Sequence, residues 1–167
     1  MPRITRRMVL LSLTAPLAAS ASADRISVLV LCTGNSARSQ MTEGFLRSFD
    51  SRLEVHSAGT QPAPRVNPYA VRAMREVGID ISASKPKHVA QFLDRSFDFV
   101  VTVCGEADES CPNFRGKVGK RLHIGFPDPA KATGSDEQIM TVFRTVRDDI
   151  RQRFREFYER ELAPKLG

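Results

Sequence analysis

A thiol, a flexible loop and a guanidinium follow one another in the segment Cys32-Thr-Gly-Asn-Ser-Ala-Arg-Ser39. Backbone N–H groups of such a loop can surround a tetrahedral oxyanion, and Arg38 can bind two of its oxygens through a bidentate fork. The same positive field favours the thiolate of Cys32, which is the nucleophilic form of cysteine. Ser39 is expected to cap the next helix and to hydrogen-bond this thiolate. The predicted substrate-binding residues are Thr33, Gly34, Asn35, Ser36, Ala37, Arg38 and Ser39.

The sequence on either side of the loop favours chemistry over an ordinary buried cysteine. A C-x5-R pattern also occurs by chance, and a free cysteine is often a small core residue. Here an apolar run from Ile26 to Leu31 predicts a buried strand before the loop, and apolar residues at helical spacing follow from Met41 to Phe49. Because this is the strand–loop–helix setting of an anion-binding loop, we interpret Cys32 as a nucleophile.

Two further cysteines can take part in the chemistry of Cys32. The chain holds three cysteines, and this odd number argues against a static disulfide framework. Cys104 and Cys111 are seven positions apart. On a rigid helix that spacing is too long for a disulfide, so a bond between them requires the segment to bend or unwind. The alternative is two unrelated surface cysteines.

Asp128 is a candidate acid in a loop that follows a predicted strand. It lies between Pro127 and Pro129, which stiffen the backbone on both sides of it. If this loop lies over the anion loop, the carboxyl group can protonate a departing oxygen. An isolated Asp-Pro pair is also an ordinary turn signal, so the assignment depends on where the loop lies.

The elements that must position these residues alternate between strands and helices. Strands are predicted over residues 25–32, 53–58, 97–104 and 121–125, and helices over 39–50, 68–77 and 136–162, with Asn67 as the cap of the second helix. This alternation predicts an α/β fold in which a four-stranded parallel sheet has helices on both faces. Ligands of such sheets bind beyond the carboxyl ends of the strands, where Cys32 and Cys104 both fall.

The last predicted helix is amphipathic. Its charged residues, from Arg144 to Arg160, are expected to form only the solvated face of the helix. Its apolar residues recur at helical spacing and are expected to share the opposite, buried face. These apolar positions are Ile139, Val142, Phe143, Val146, Ile150, Phe154 and Phe157.

Composition and charge describe an ordinary globular domain. Hydrophobic residues make up 41% of the chain and charged residues 26%. The formal net charge of +6 falls to +3 without the three arginines of residues 1–23. That charge is too mild to indicate nucleic-acid binding, and no basic–aromatic stripe supports it. The three histidines show no ligand-like spacing to one another or to the cysteines, so no metal site is expected.

Residues 1–23 are predicted to be a twin-arginine-type signal peptide, followed by a single domain over residues 24–167. Arg6 and Arg7 precede an apolar stretch, and Ala21-Ser22-Ala23 offers a small-residue cleavage site. The stretch is too short for a permanent membrane anchor. We therefore expect a periplasmic protein. The alternative is a cytoplasmic protein whose N-terminus is disordered or whose start codon is misassigned.

The chain resembles the thioredoxin-coupled arsenate reductases, which share the low-molecular-weight tyrosine phosphatase fold. The resemblance extends from Ile26 to Tyr158, and the combination of all three cysteines with Asp128-Pro-Ala makes it specific. The matching segments are residues 32–41, 57–59, 66–68, 78–82, 101–104, 111–112, 128–130 and 146–150.

The resemblance implies a sequence of chemical steps. Thiolate Cys32 attacks arsenate held by the loop and Arg38, and Asp128 protonates the leaving oxygen. Cys104 then attacks Cys32 and releases arsenite, and Cys111 attacks Cys104. Thioredoxin or a thioredoxin-like protein reduces the resulting Cys104–Cys111 bond. No bound cofactor is implied, and a monomer is expected.

The chain departs from the family at a cation site. Some members hold a potassium ion with a glutamate of the first helix, which Glu43 matches, whereas Lys85 and Lys87 fall near the other two ligand positions. We therefore expect no potassium ion, and a lysine to supply the charge in its place.

Two other functions stay open from the sequence. A phosphotyrosine phosphatase would use Cys32, Arg38 and Asp128 alone, although phosphatases of this fold usually carry an aromatic residue where this chain has Ala130. A reductase would retain some of this phosphatase activity, because phosphate and arsenate share a geometry. A non-catalytic oxyanion-binding redox sensor would use the disulfide itself as its signal.

Overall fold

The computed structural model describes residues 25–105 and 112–167, so the predicted leader (1–23) and Cys111 lie outside the described residues. The strands are β1 (Ile26–Cys32), β2 (Leu53–Gly59), β3 (Phe97–Thr102) and β4 (Val118–His123), and the α-helices are α1 (Arg38–Phe49), α2 (Pro68–Arg75) and α3 (Asp136–Phe157). The strand order is β2-β1-β3-β4, and each pair of neighbours is parallel. The predicted four-stranded parallel sheet is therefore confirmed.

β1 lies inside the sheet because its residues are apolar toward both faces. Successive side chains of a strand point to opposite faces. Val30 and Cys32 accordingly pack into one core, and Leu29 and Leu31 pack into the other. Leu31 pairs with Thr102 of β3, so β1 and β3 end at the same edge of the sheet.

Helical segments cover both faces of the sheet, as predicted, but unequally. α1, α2 and α3 all pack on the face that Cys32 reaches, where Phe45 and Ile150 are among the buried residues. In the described part of the chain, the other face is covered by a 3₁₀-helix, Val89–Phe92, and by Phe114. None of the helices within residues 25–105 and 112–167 is long and apolar enough to cross a membrane.

All four strands differ from their predicted bounds, β1 and β2 by one residue each and β3 and β4 by two or more. β4 spans Val118–His123 rather than 121–125, and only Val118 and Leu122 of this edge strand are even partly buried. Without a buried face, the apolar alternation that marks a strand is weak, so the sequence pattern does not indicate that β4 begins at Val118. β3 ends at Thr102, two residues before the predicted end at Cys104.

α2 begins as predicted. The side chain of Asn67 accepts a hydrogen bond from the backbone N–H of Tyr69 at 2.9 Å, and Pro68 is the first helical residue. The helix ends at Arg75, two residues before the predicted end. Gly78 then adopts a φ of +81°, a left-handed conformation that glycine takes without strain.

The last helix has the predicted extent and two errors of detail. A π-helical turn, Tyr158–Leu162, follows α3 and keeps the chain helical to Leu162. Val142, predicted for the buried face, is exposed, whereas Arg147, predicted for the solvated face, is buried. Arg147 can be buried because its Nη1 donates to Glu76 Oε2 at 3.0 Å, so its charge is paired.

Candidate active site

The loop between β1 and α1 is shaped by backbone hydrogen bonds from the segment that follows β2. The carbonyl oxygens of Thr33, Gly34 and Ser36 accept these bonds from N–H groups within residues 61–67, at 2.8 to 2.9 Å. All described peptide bonds are trans. In a trans peptide group the N–H bond and the carbonyl bond point in opposite directions. The N–H groups that follow these three carbonyls therefore point into the loop, where they can bind an oxyanion.

Cys32 ends β1 with its sulfur inside this loop. The side chain is buried, the backbone N–H of Asn35 donates to Sγ at 3.1 Å, and Ser39 Oγ lies 2.9 Å from Sγ. Hydrogen bonds of this kind stabilise a thiolate. The expected contact with Ser39 is confirmed. The prediction that Ser39 caps the helix is wrong, because α1 begins at Arg38 and the cap position is Ala37, which makes no side-chain cap bond.

Gly59, at the end of β2, lets the loop lie directly against the sheet. A Cβ atom at this position would lie 2.2 Å from the carbonyl oxygen of Thr33 and 3.0 Å from that of Cys32. No side chain fits at such distances. Packing therefore explains why the matching segment 57–59 ends in glycine.

Behind the loop lies a group of polar side chains that are buried except for the half-buried Lys87. We call it the loop network: Asn35, Ser39, Gln40, Glu43, Ser57 and Lys87. Asn35 adopts a φ of +46°, a left-handed conformation that asparagine tolerates better than most residues. Its Nδ2 donates to Ser39 Oγ and Ser57 Oγ, both at 2.8 Å, and its Oδ1 accepts from the backbone N–H of Lys87, also at 2.8 Å. One side chain therefore ties the loop to α1, to β2 and to the segment after α2.

Glu43 is a buried carboxylate at the far side of the loop network. It accepts a short hydrogen bond from Ser57 Oγ, and it lies 2.6 Å from Arg47 Nη2 and 3.6 Å from Lys87 Nζ. Of the two lysines expected near this glutamate, Lys87 faces it, while Lys85 contributes its backbone oxygen to Lys87 Nζ at 3.4 Å. Nowhere in residues 25–105 and 112–167 do three or more His, Cys, Asp or Glu side chains form a group that could hold a metal ion.

Arg38 reaches from the start of α1 to the loop after β4. Its Nη1 donates to the carbonyl oxygen of Phe126 at 3.1 Å, and its Nη2 lies 3.6 Å from Asp128 Oδ2. The carboxyl of Asp128 therefore lies beside the anion loop, as an acid would have to. The same carboxyl accepts from the backbone N–H of Ala130 at 3.0 Å, so Asp128 also shapes a local turn.

Cys104 lies just beyond β3, at the edge of the sheet where Cys32 lies. The backbone N–H of Val103 still donates to the carbonyl oxygen of Leu31 at 2.9 Å, so the chain runs beside β1 up to Cys104. Cys104 is buried and disulfide-bonded, whereas Cys32 is a free cysteine. The third cysteine, Cys111, lies outside the described residues.

The segment that carries Cys104 packs against the loop that carries Asp128. A Cβ atom at Gly105 would lie 2.1 Å from the carbonyl oxygen of Phe126, so the two backbones touch at this glycine. The structure thus brings together Cys32, its anion loop, Asp128 and the Cys104 segment.

Some residues of the site, which act through a backbone atom or from behind the loop, were not predicted from the sequence. Phe126 acts through its carbonyl oxygen, and Gln40 donates from its Nε2 to the backbone oxygen of Asn35 at 3.1 Å. Ser57 could have been identified, because a polar residue near the buried end of a strand is unusual there and indicates a polar contact.

The chain is similar in sequence to one enzyme family. A sequence model of the low molecular weight phosphotyrosine protein phosphatases matches residues 27–165. An arsenate reductase of Halalkalibacterium halodurans is 47% identical over 133 residues, which are 79% of this chain and 94% of that protein.

The fold is similar to that of solved arsenate reductases. One, solved in its phosphate-binding state, has a TM-score of 0.66 and 32% identity, and the match covers 80% of this chain and 97% of that one. The thioredoxin-dependent arsenate reductase of Corynebacterium glutamicum has a TM-score of 0.56 and 26% identity, with 81% of this chain and 60% of that one covered.

Proposed function

The chain belongs to the low molecular weight phosphotyrosine protein phosphatase family, among the arsenate reductases of that fold, and we propose that it reduces arsenate to arsenite through a relay of its own cysteines. The observation that carries this proposal is the free sulfur of Cys32 inside an anion loop, with Arg38 and Asp128 beside it.

The first step forms a bond between sulfur and arsenic. The thiolate of Cys32 attacks arsenate that the loop N–H groups and Arg38 hold in place. A hydroxyl group of the arsenate leaves as water after it takes a proton from the carboxyl of Asp128, and a thioester of As(V) remains on Cys32. The distance of 3.6 Å between Asp128 Oδ2 and Arg38 Nη2 supports this role, because the carboxyl lies near the oxygens that Arg38 would bind.

The second step transfers two electrons to arsenic. The thiolate of Cys104 attacks the sulfur of Cys32, the electron pair of the S–As bond passes to arsenic, and arsenite leaves. A Cys32–Cys104 disulfide remains. The thiolate of Cys111 then attacks Cys104, which releases Cys32 as a thiolate and forms a Cys104–Cys111 disulfide. A dithiol of a thioredoxin-like protein reduces that bond and is itself oxidised.

Two observations support this relay. Cys104 is disulfide-bonded and Cys32 is free, which is the state of these two sulfurs at the end of the relay. A protein of similar fold from Corynebacterium glutamicum is thioredoxin-dependent, which supports the same class of reductant here.

The same loop also supports slow hydrolysis of aryl phosphates as a side activity. Phosphate has the tetrahedral geometry of arsenate, and a similar arsenate reductase has been solved in a phosphate-binding state. Hydrolysis needs Cys32, Arg38, Asp128 and water but no electrons. It therefore tests the anion loop separately from the relay.

Arsenite formation by catalytic amounts of the protein tests the proposal. Thioredoxin, thioredoxin reductase and NADPH serve as the reducing system, and NADPH oxidation must depend on arsenate. We expect Cys104→Ser and Cys111→Ser each to stop multiple turnover and to spare hydrolysis of an aryl phosphate. Equal loss of both activities would mean that these cysteines are structural. A single round of protein oxidation without turnover would favour the redox sensor.

We also propose that residues 1–23 export the protein in a folded state and that the domain begins near Asp24. The family match from residue 27 onward supports this division of the chain. The reductant would then be a periplasmic thioredoxin-like protein, since the periplasm is held oxidising and the disulfide would otherwise persist. Fractionation against a cytoplasmic marker, followed by N-terminal sequencing, tests it. Full-length protein found only in the cytoplasm would make ordinary thioredoxin the donor.

A further inference from the structure

Arg153 of α3 contacts the loop that carries Asp128. Its Nη1 donates to the carbonyl oxygen of Gly125 at 2.7 Å, and its Cζ lies 4.8 Å from the centroid of the Phe126 ring. A guanidinium is attracted to the face of an aromatic ring, and its planar fork fixes the direction of its hydrogen bonds. Arg153 thus holds two successive residues of this loop, although the sequence pattern assigned it to the solvated face.

Phe126 is also held at two other points. Its ring stacks on that of Phe154, the neighbour of Arg153 on α3, with the centroids 6.1 Å apart. Its carbonyl oxygen accepts from Arg38 Nη1 at 3.1 Å. One arginine that belongs to the anion loop and one that lies outside it therefore fix the same residue.

The link from Phe126 to Asp128 is stiff. Pro127 joins the two residues and Pro129 follows, and each proline fixes its own φ. The hydrogen bond from Ala130 N–H to Asp128 Oδ1 further restricts the acid. A displacement of Phe126 is therefore passed on to Asp128 and is not absorbed by the backbone between them.

We propose that Arg153 is a positioning residue for Asp128, an inference that rests on the proposed role of Asp128 as the acid. Arg153 acts through Gly125 and Phe126, and it keeps the carboxyl 3.6 Å from Arg38 Nη2. A shift of about 1 Å at a reacting group can lower a rate by about 100-fold. Arsenate binding depends on the loop N–H groups and Arg38, so it is retained when Arg153 is replaced.

The test is the rate of arsenite release in a single turnover of the fully reduced protein at saturating arsenate. We expect Arg153→Met to lower this rate by about tenfold, with little change in the arsenate concentration that gives half the maximal rate. Arg153→Lys should recover most of the loss, because an ammonium can still lie over the ring. The matched control is Arg155→Met, since Arg155 lies on the same helix with its Cζ 3.8 Å from the ring centroid of Phe49.

A double variant separates positioning from general structure. In an Asp128→Asn background, Arg153→Met should cause almost no further loss, because the acid it positions is already gone. An equal loss in both backgrounds, or none in either, would overturn the role of Arg153 while leaving the acid in place. An unchanged rate for Asp128→Asn alone would instead overturn the acid itself. If Arg153→Met does not fold, as judged by its thermal unfolding, the same comparison is made with Arg153→Gln.

Discussion

Two networks of charged and polar side chains in the described part of the chain differ in what surrounds them. The loop network behind Cys32 is buried except for the half-buried Lys87, and Asn35 and Ser57 are fully enclosed. The second, which we call the helix network, joins α2 to α3 at the surface and consists of Glu76, Glu137, Arg144, Arg147 and Asp148. Its central carboxylate, Glu76, is 40% exposed.

The difference shows what each network contributes. A buried polar atom that loses its partner cannot turn to water, so each hydrogen bond of the loop network fixes a geometry. Apart from the buried Arg147, members of the helix network can exchange a partner for water, and salt screens their charges. The first network should therefore control activity, and the second should adjust stability alone.

The sharpest separation between activity and stability comes from Cys32→Ser. We expect arsenate reduction and aryl phosphate hydrolysis both to vanish, because a serine hydroxyl is not ionised near neutral pH. Folding should be nearly unchanged, since the hydroxyl can still accept the N–H of Asn35. Steady-state assays and thermal unfolding measure the two effects. Substantial arsenate turnover by this variant would refute the mechanism.

Asn35→Ala should be the most damaging change within the loop network itself. It leaves several buried groups without partners, so we expect a loss of about 2 to 4 kcal/mol in unfolding free energy and about a 100-fold loss of arsenate turnover. Asn35→Gly is the matched control, because glycine accepts the positive φ at no cost. Urea unfolding should show it about 1 kcal/mol more stable than the alanine variant. Full activity in both would show that the loop does not need the network.

Lys87→Met should have a smaller effect, because it removes the ammonium but keeps the backbone N–H that Asn35 binds. Glu43 then retains Arg47 and Ser57 as partners, so we expect a loss of about 1 to 2 kcal/mol in unfolding free energy and about tenfold in kcat/KM for arsenate. Lys87→Arg keeps the charge and serves as control. A wild-type kcat/KM in Lys87→Met would show that the charge beside Glu43 does not influence the anion loop.

Glu76→Gln should have the smallest effect, and on stability alone. The hydrogen bond from Arg144, which outweighs the opposing effect of burial, and a weaker one from Arg147 lower the pKa of Glu76 from 4.5 to about 2. Because the folded-state pKa is depressed, the ionised carboxylate stabilises the fold above pH 4.5, and this contribution is lost as the pH falls toward 2. The melting temperatures of the two proteins should therefore differ by a few degrees at most at pH 6 and converge near pH 2. A change in arsenate turnover would contradict the division between the networks.

The parts of the site that could be predicted are local in sequence. β1, the loop and α1 follow one another directly, so apolar periodicity and residue types sufficed to place Cys32, Arg38 and the anion loop. The loop network could not be predicted in this way, because its bonds join residues far apart: Asn35 meets Ser57 at a separation of 22 and Lys87 at a separation of 52.

The same limit explains the two arginines of α3 that the pattern assigned to water. Arg147 is paired with Glu76, 71 positions away, and Arg153 with Gly125, 28 positions away. Helical periodicity identifies a buried face from apolar residues, but it cannot find a cation whose partner comes from another element. The partners of both arginines come from other elements, so the pairing can be identified only from the fold.

The carbonyl groups of the anion loop are held by residues 61–67, so the protein and not the substrate determines where the N–H groups point. A tetrahedral oxyanion then meets a rigid receptor and loses little further freedom when it binds. Such a receptor recognises shape and charge, and phosphate offers the same shape and charge as arsenate. Phosphate should therefore compete for the loop and slow the flux of arsenate through it. Selection between the two ions falls to the electron-transfer step, because thiols reduce pentavalent arsenic and leave pentavalent phosphorus unchanged.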